Sequence, residues 1–174
     1  MTDNFIQLGK SDVLRLGIRT EDGKDTGEYL EFDLEDIDLL LKYQELIEKD
    51  KKNKEHLRNQ LLIIDKKQDV KGKKILSKNE EDKLKALKDF FEKETEVYNM
   101  FLGKNGVQKL LNGRKLGWTS LQEIDEIINE QITPHLNINM DKISEKVKSK
   151  YGKLANNEKE VLKENEWLSR IYRS

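Results

Sequence analysis

The chain has no cysteine and a single proline, Pro134, among its 174 residues. The absence of thiols excludes disulfides, cysteine-ligated zinc and thiol catalysis, and it fits a reducing compartment. Histidine is nearly absent as well. His56 and His135 lie far apart, with no carboxylate at a spacing that suggests shared metal ligation, so each reads as a surface histidine. No stretch approaches the roughly 18 apolar residues that span a bilayer, and the N-terminus has no basic segment followed by an apolar run, so neither a membrane anchor nor a leader is expected. Apolar residues are also scarce, at 35%, against about 45–50% in an ordinary globular chain.

Charge fills the space. Asp, Glu, Lys and Arg make up 39% of the chain, yet the net charge is only −1, so no bulk field recruits DNA or an anionic membrane. The charges are unevenly placed. Residues 21–48 hold eleven acids against Lys24 and Lys42, a balance of −9, and residues 49–74 hold ten bases against four acids, a balance of +6. These stretches either neutralise each other within one molecule or form complementary faces for self-assembly. In the second case Glu31, Asp33 and Glu35 would meet Lys49, Lys51 and Lys52 of another copy.

The pattern of apolar residues predicts a mainly α protein of the α+β kind. Val13, Leu14, Leu16 and Ile18 form one apolar run and Tyr29-Leu30-Glu31-Phe32 a shorter one. They are separated by the turn-forming Glu21-Asp22-Gly23-Lys24-Asp25-Thr26-Gly27, so a small N-terminal antiparallel β-hairpin is expected. Two strands alone are marginal in water and must rest on a helix. Asp33 or Asp36 supplies the N-cap of that helix. Ile37, Leu40, Leu41 and Ile47 recur at helical spacing, apolar residues vanish from Glu48 to His56, and Leu57, Leu61 and Ile64 resume the stripe. Neither Pro nor Gly occurs from Leu34 to Val70, so one helix of roughly 50 Å is expected at 1.5 Å per residue.

Gly72 breaks it. Ser77-Lys78-Asn79-Glu80 is a capping box, and it starts a second helix carrying Leu84, Leu87, Phe91, Val97, Tyr98 and Phe101, which ends near Gly103. The short loop makes the pair an antiparallel helical hairpin with a charged tip, with Leu57, Leu61 and Ile64 expected to face Leu84, Leu87 and Phe91. Ser120-Leu121-Gln122-Glu123 reads as another cap. It precedes the most clearly amphipathic stretch, Leu121, Ile124, Ile127, Ile128, Ile132 and Leu136, which Pro134 should stop or bend. Met140, Ile143, Val147 and Tyr151 define a further helix. The expected division is 1–111 for the β-hairpin and helical hairpin, 112–153 for the C-terminal amphipathic helices, and 154–174 for a terminal helix or flexible tail.

Catalytic signatures are missing. There is no G-x-S-x-G elbow. Glu31 with Asp33, and Asp125 with Glu126, look solvated, whereas an acid–base dyad needs burial to split its pKa values. Gly103-Lys104-Asn105-Gly106 lacks P-loop spacing. The segment Asn112-Gly113-Arg114-Lys115-Leu116-Gly117-Trp118 is either an anion- or base-stacking site or a tight connection that plugs Trp118 into the core. A non-enzyme without metal or cofactor is expected. The lysine-rich 49–74 offers a nucleic-acid surface, but four acids interrupt it and no aromatic interleaves, so a solvated helix is the favoured reading.

Gly27-Glu28-Tyr29-Leu30-Glu31-Phe32-Asp33-Leu34-Glu35-Asp36, a strand passing through an aspartate into a charged helix, resembles the N-terminal region of tail assembly chaperones of long-tailed bacteriophages. The long charged helical pair continues the likeness. Phe101-Leu102-Gly103-Lys104-Asn105-Gly106-Val107-Gln108-Lys109-Leu110-Leu111 is similar to the family's link between body and C-terminal helices, and residues 118–136 fit members from phages of Gram-positive hosts. The likeness covers roughly residues 5–150, in loose patterns of residue type and order, and the lysine-rich helical pair departs from it. It implies a chaperone made in the bacterial host cytoplasm. Such a chaperone binds the tape-measure protein, keeps it soluble until tail-tube protein polymerises around it, and leaves before the virion is complete. On the residues themselves, Trp118, Ile124, Ile128 and Ile132, with Trp167 and Ile171 of the tail, are the candidate partner-binding surface; the alternative is that they form the core. Competing functions are a structural or adaptor phage protein retained in the virion, and a nucleic-acid-binding regulator using residues 49–74.

Overall fold

The computed structural model describes residues 12–72 and 75–149. It is mainly helical with a two-stranded antiparallel hairpin, as the sequence predicts. Strand β1 (Val13–Arg19) pairs with β2 (Asp25–Asp33), and the register sets Leu14 opposite Phe32 and Leu16 opposite Leu30. Because side chains alternate across a strand, these residues share one face with Ile18. Ile18, Leu30 and Phe32 are buried, while the opposite face keeps Arg15, Tyr29 and Glu31 in solvent. On that outer face the Arg15 guanidinium lies 3.6 Å from the centre of the Tyr29 ring.

Asp36 is the N-cap of α1 (Ile37–Asp65), accepting from Asp38 N–H at 2.9 Å. Asp33 instead closes a local turn by accepting from Glu35 N–H at 3.1 Å. Helix α1 has 29 residues, roughly 43 Å at 1.5 Å per residue. Helix α2 (Lys78–Leu102) returns beside it. At the tip the capping box forms: Ser77 Oγ accepts from Glu80 N–H at 3.2 Å, and Glu80 Oε2 accepts from Ser77 N–H at 2.7 Å. Asn79 adds a second stitch, its amide donating to the carbonyls of Ile64 (3.2 Å) and Lys67 (2.9 Å) at the end of α1. The Ile64 carbonyl also accepts from Lys67 N–H at 3.0 Å, and the Lys67 carbonyl lies one residue beyond the C-cap Lys66.

The seam of α1 follows an alternating spacing of four and three: Leu39, Tyr43, Leu46, Asp50, Asn53, Leu57, Gln60 and Ile64, all buried or half-buried. This is the period of a left-handed helical pair. Opposite stand Ala86, Phe90, Glu94, Val97 and Phe101 of α2, all buried. The expected partners Leu84, Leu87 and Phe91 do not fill this role. Leu84 is 52% exposed, because α2 carries two stripes, and spacing alone does not say which one meets α1. Phe101 joins the helices to the hairpin, its ring 5.7 Å from Phe32 and 5.5 Å from Tyr43.

After Gly103, α3 (Gly106–Leu110) forms a short turn of helix held by Asn99, whose Oδ1 accepts from Val107 N–H at 2.9 Å. Helix α4 (Trp118–Ile127) begins at Gly117, earlier than the Ser120 cap expected from sequence. Ser120 sits inside the first turn, its Oγ accepting from Gly117 N–H at 2.9 Å. A π-helical segment, Ile128–Ile132, follows, and residues 133–149 are α-helical, here α5. Pro134 therefore does not stop the helix: the π turn immediately before it supplies the looser backbone that a residue without N–H requires.

The chain divides into two compact units, Met1–Gln131 and Ile132–Ser174. In the second unit, Ile132, Leu136 and Asn139 are buried, while Ile138, Met140 and Val147 are about half exposed. Among the described residues no helix is long and apolar enough to cross a membrane.

Candidate interaction face and a buried polar layer

The six residues of the expected partner-binding surface separate. Ile124, Ile128 and Ile132 are 1, 4 and 0% exposed. They are core residues and not part of the outer surface, because the apolar stripe of an amphipathic helix turns inward wherever the fold offers it a partner. Trp167 and Ile171 lie outside the described residues. Of the four described residues Trp118 remains at the surface, 51% exposed. Its indole does not plug the core. It stacks against α2, with ring centroids 5.4 Å from Phe90 and 5.1 Å from Phe91.

Sequence reasoning passed over the face on which Trp118 rests. The outer stripe of α2 runs Leu84, Leu87, Phe91, Thr95, Tyr98 and Leu102. Its C-terminal end is covered, since Tyr98 and Leu102 are buried; Tyr98 O–H donates to Asp125 of α4, and Leu102 packs on Gly106. Its N-terminal end is open at Leu84, and Leu87 and Phe91 are half-buried. Along α2 from Lys88 to Asn99, sharing Phe91 with the stripe, runs a groove of about 690 Å³ lined also by Val107 and Leu116, with Lys88, Glu92 and Glu96 of α2 and Arg114 and Lys115 of the following segment as its charged residues. The positive-φ pair Asn112 (50°) and Gly113 (78°) turns the chain so that Leu116 is buried and Arg114 and Lys115 are exposed. Arg114 is engaged by Glu21 at 3.2 Å.

Family models, characterised proteins and solved structures give no match to this chain.

The proposed charge faces are solvent-exposed: Glu31, Asp33 and Glu35 at the hairpin end, and Lys49, Lys51 and Lys52 along the middle of α1. Part of the basic stretch is engaged within its own helix, with Lys49 2.6 Å from Glu45 and Lys54 2.7 Å from Asp50.

A second feature escaped the sequence reading. Where α1 lacks apolar residues, its seam positions are Asp50 and Asn53, and they meet Glu94, which is 0% exposed. Asn53 Nδ2 donates to Glu94 Oε1 at 2.7 Å. Lys54 Nζ lies 2.7 Å from Asp50 Oδ1 and 2.9 Å from Oδ2, with hydrogen-bond geometry only to the latter, and 3.9 Å from Asp125 Oδ2. Burial, reinforced by the charge of Asp50, pushes the Glu94 carboxyl up to about 7 against the opposing pull of Asn53 and Lys54. Burial, and then the Asp125 carboxylate, raise the Tyr98 hydroxyl. Burial lowers Lys54, but Asp50, then Asp125 and Glu94, raise it on balance. The signal was present in the register: Asp50 and Asn53 fall on the spacing set by Leu46 and Leu57, and Glu94 falls between Phe90 and Val97. Among the described residues no group of three or more His, Asp or Glu side chains is arranged to hold a metal.

Proposed function

We propose that this protein is an assembly chaperone that shields the apolar stripe of a long helical partner, and that the partner is the tape-measure protein of a long-tailed phage, bound in the host cytoplasm before tail-tube protein encloses it. The observation that carries this reading is the half-covered outer stripe of α2. Helix α4 covers one end of the stripe. Leu84, Leu87, Phe91 and the exposed edge of Trp118 offer the other end to a helix of similar kind. An amphipathic helix lays its apolar face into such a groove with anchors three and four residues apart. The mixed acidic and basic walls suit a partner whose own flanks carry both signs, and large aromatic anchors dominate such contacts. The 39% charged composition keeps the chain in solution while that stripe stays accessible.

Co-expression with the tape-measure protein of the same genome tests the reading. The chain should move the tape-measure protein into the soluble fraction, and Leu84→Glu, at an exposed position that leaves the core intact, should abolish the effect. A tape-measure protein that stays insoluble with the wild-type chain, or a chain that remains in purified virions, contradicts it; the latter outcome belongs to a virion adaptor. Self-association through the acidic hairpin end and the basic middle of α1 is part of the same proposal. It predicts a sedimentation coefficient that falls between low salt and about 0.5 M salt, where the Debye length shrinks well below 10 Å. A coefficient indifferent to salt removes self-association alone.

A further inference from the structure

The polar layer in the α1–α2 seam contains one more carboxylate than its donors can satisfy. Glu94 Oε1 has Asn53, but Glu94 Oε2 is buried without a hydrogen-bond donor, and the carboxylate beside it is Asp50, whose oxygens lie 2.7 and 2.9 Å from Lys54 Nζ. Two carboxylates in contact bond to each other only when one holds a proton. One turn further along α2, Tyr98 ties the layer to α4 through Asp125, and Lys54 lies between Asp50 and Asp125. Three carboxylates on three helices are therefore held by one ammonium, one phenol, one amide and one proton.

We propose that Asp50 and Glu94 form a proton-operated latch that holds α4 against the helical hairpin. The groups facing Glu94 are Asp50, Asn53 and Lys54 from α1, Tyr98 from α2 itself and Asp125 from α4, and the proton is in place on Glu94. The layer then carries a net charge of −1. Loss of the proton makes it −2 inside the seam, with Lys54 the one cation of the layer among the described residues. Tyr98 and Asp125 sit at the junction with α4, so the strain is relieved by α4 lifting. Lifting uncovers Ile124 and Ile128, the apolar residues that closure buries. This latch is a property of the fold and does not depend on which partner the chain binds.

The direction with pH follows from linkage. The folded-state pKa of Glu94, about 7, lies above its ordinary value of 4.5. The folded chain therefore keeps a proton that the unfolded chain has already released between these pH values. The stabilisation is complete below the lower value and is lost as pH rises through the upper one. From pH 6 to pH 8.5 the unfolding equilibrium constant should rise about tenfold from this group.

The test is urea unfolding and binding of the apolar dye ANS by the full chain at pH 6 and pH 8.5. The wild type should show a lower urea midpoint and stronger dye fluorescence at pH 8.5. Glu94→Gln carries its own hydrogen toward Asp50 and should remove both differences. Asp50→Asn supplies a donor from the opposite side and removes a neighbouring charge while Glu94 stays buried, so it should shrink both differences, which keeps the test open if one variant does not fold. A wild type indifferent to pH over this range, or a folded variant that keeps the wild-type pH response, overturns the latch.

Discussion

At Gly106 the packing leaves no room for a side chain: a Cβ there would stand 2.4 Å from Leu102 Cβ, an atom fixed to the backbone of α2. Alanine favours a helix over glycine by up to ~1 kcal/mol, but forcing this contact apart costs about 1–3 kcal/mol. Gly106→Ala should therefore lower stability, read as a lower urea midpoint at unchanged slope. The capping box at the hairpin tip gives a second prediction at this scale. Ser77→Ala leaves Glu80 N–H without its acceptor and should cost about 1 kcal/mol, with no change in the secondary structure seen by circular dichroism. Both sites were legible to different degrees. Ser77-x-x-Glu80 announces itself by residue type and spacing. Gly106 reads as one more loop glycine, because the steric demand comes from Leu102 across a turn and has no local signature.

Among the helices, position on the seam decides the cost of a substitution. Leu57 is 5% exposed and faces α2, whereas Leu41, on the same helix, is 62% exposed. Leu57→Ala should cost about 2–5 kcal/mol, and Leu41→Ala should stay within about 0.5 kcal/mol; paired urea titrations separate the two. The sequence makes both leucines look like members of one stripe. It shows the helical hairpin because the 3.6-residue period, the capping box and the short connection all agree. It does not show which of the two stripes on α2 meets α1, since both are apolar and both are helically spaced. It shows Glu94 only through its register between Phe90 and Val97, because by residue type an acid among Glu92, Lys93, Thr95 and Glu96 looks solvated until the opposing Asp50 and Asn53 are brought to it. The same limit applies at Ile124 and Ile128, where an apolar stripe able to bind a partner is, in the folded unit, turned inward.

For the whole molecule, the proposed function puts partner contact at the open end of the α2 stripe, where Leu84 and Trp118 are exposed. The two tryptophans make this directly observable. In a Trp167→Phe chain Trp118 is the sole tryptophan, and its emission reports whether the exposed indole edge becomes covered. On addition of the tape-measure protein the account predicts a blue shift of that emission together with loss of quenching by iodide. A tape-measure complex that forms, as judged by co-sedimentation, while Trp118 emission and quenching stay unchanged would contradict it.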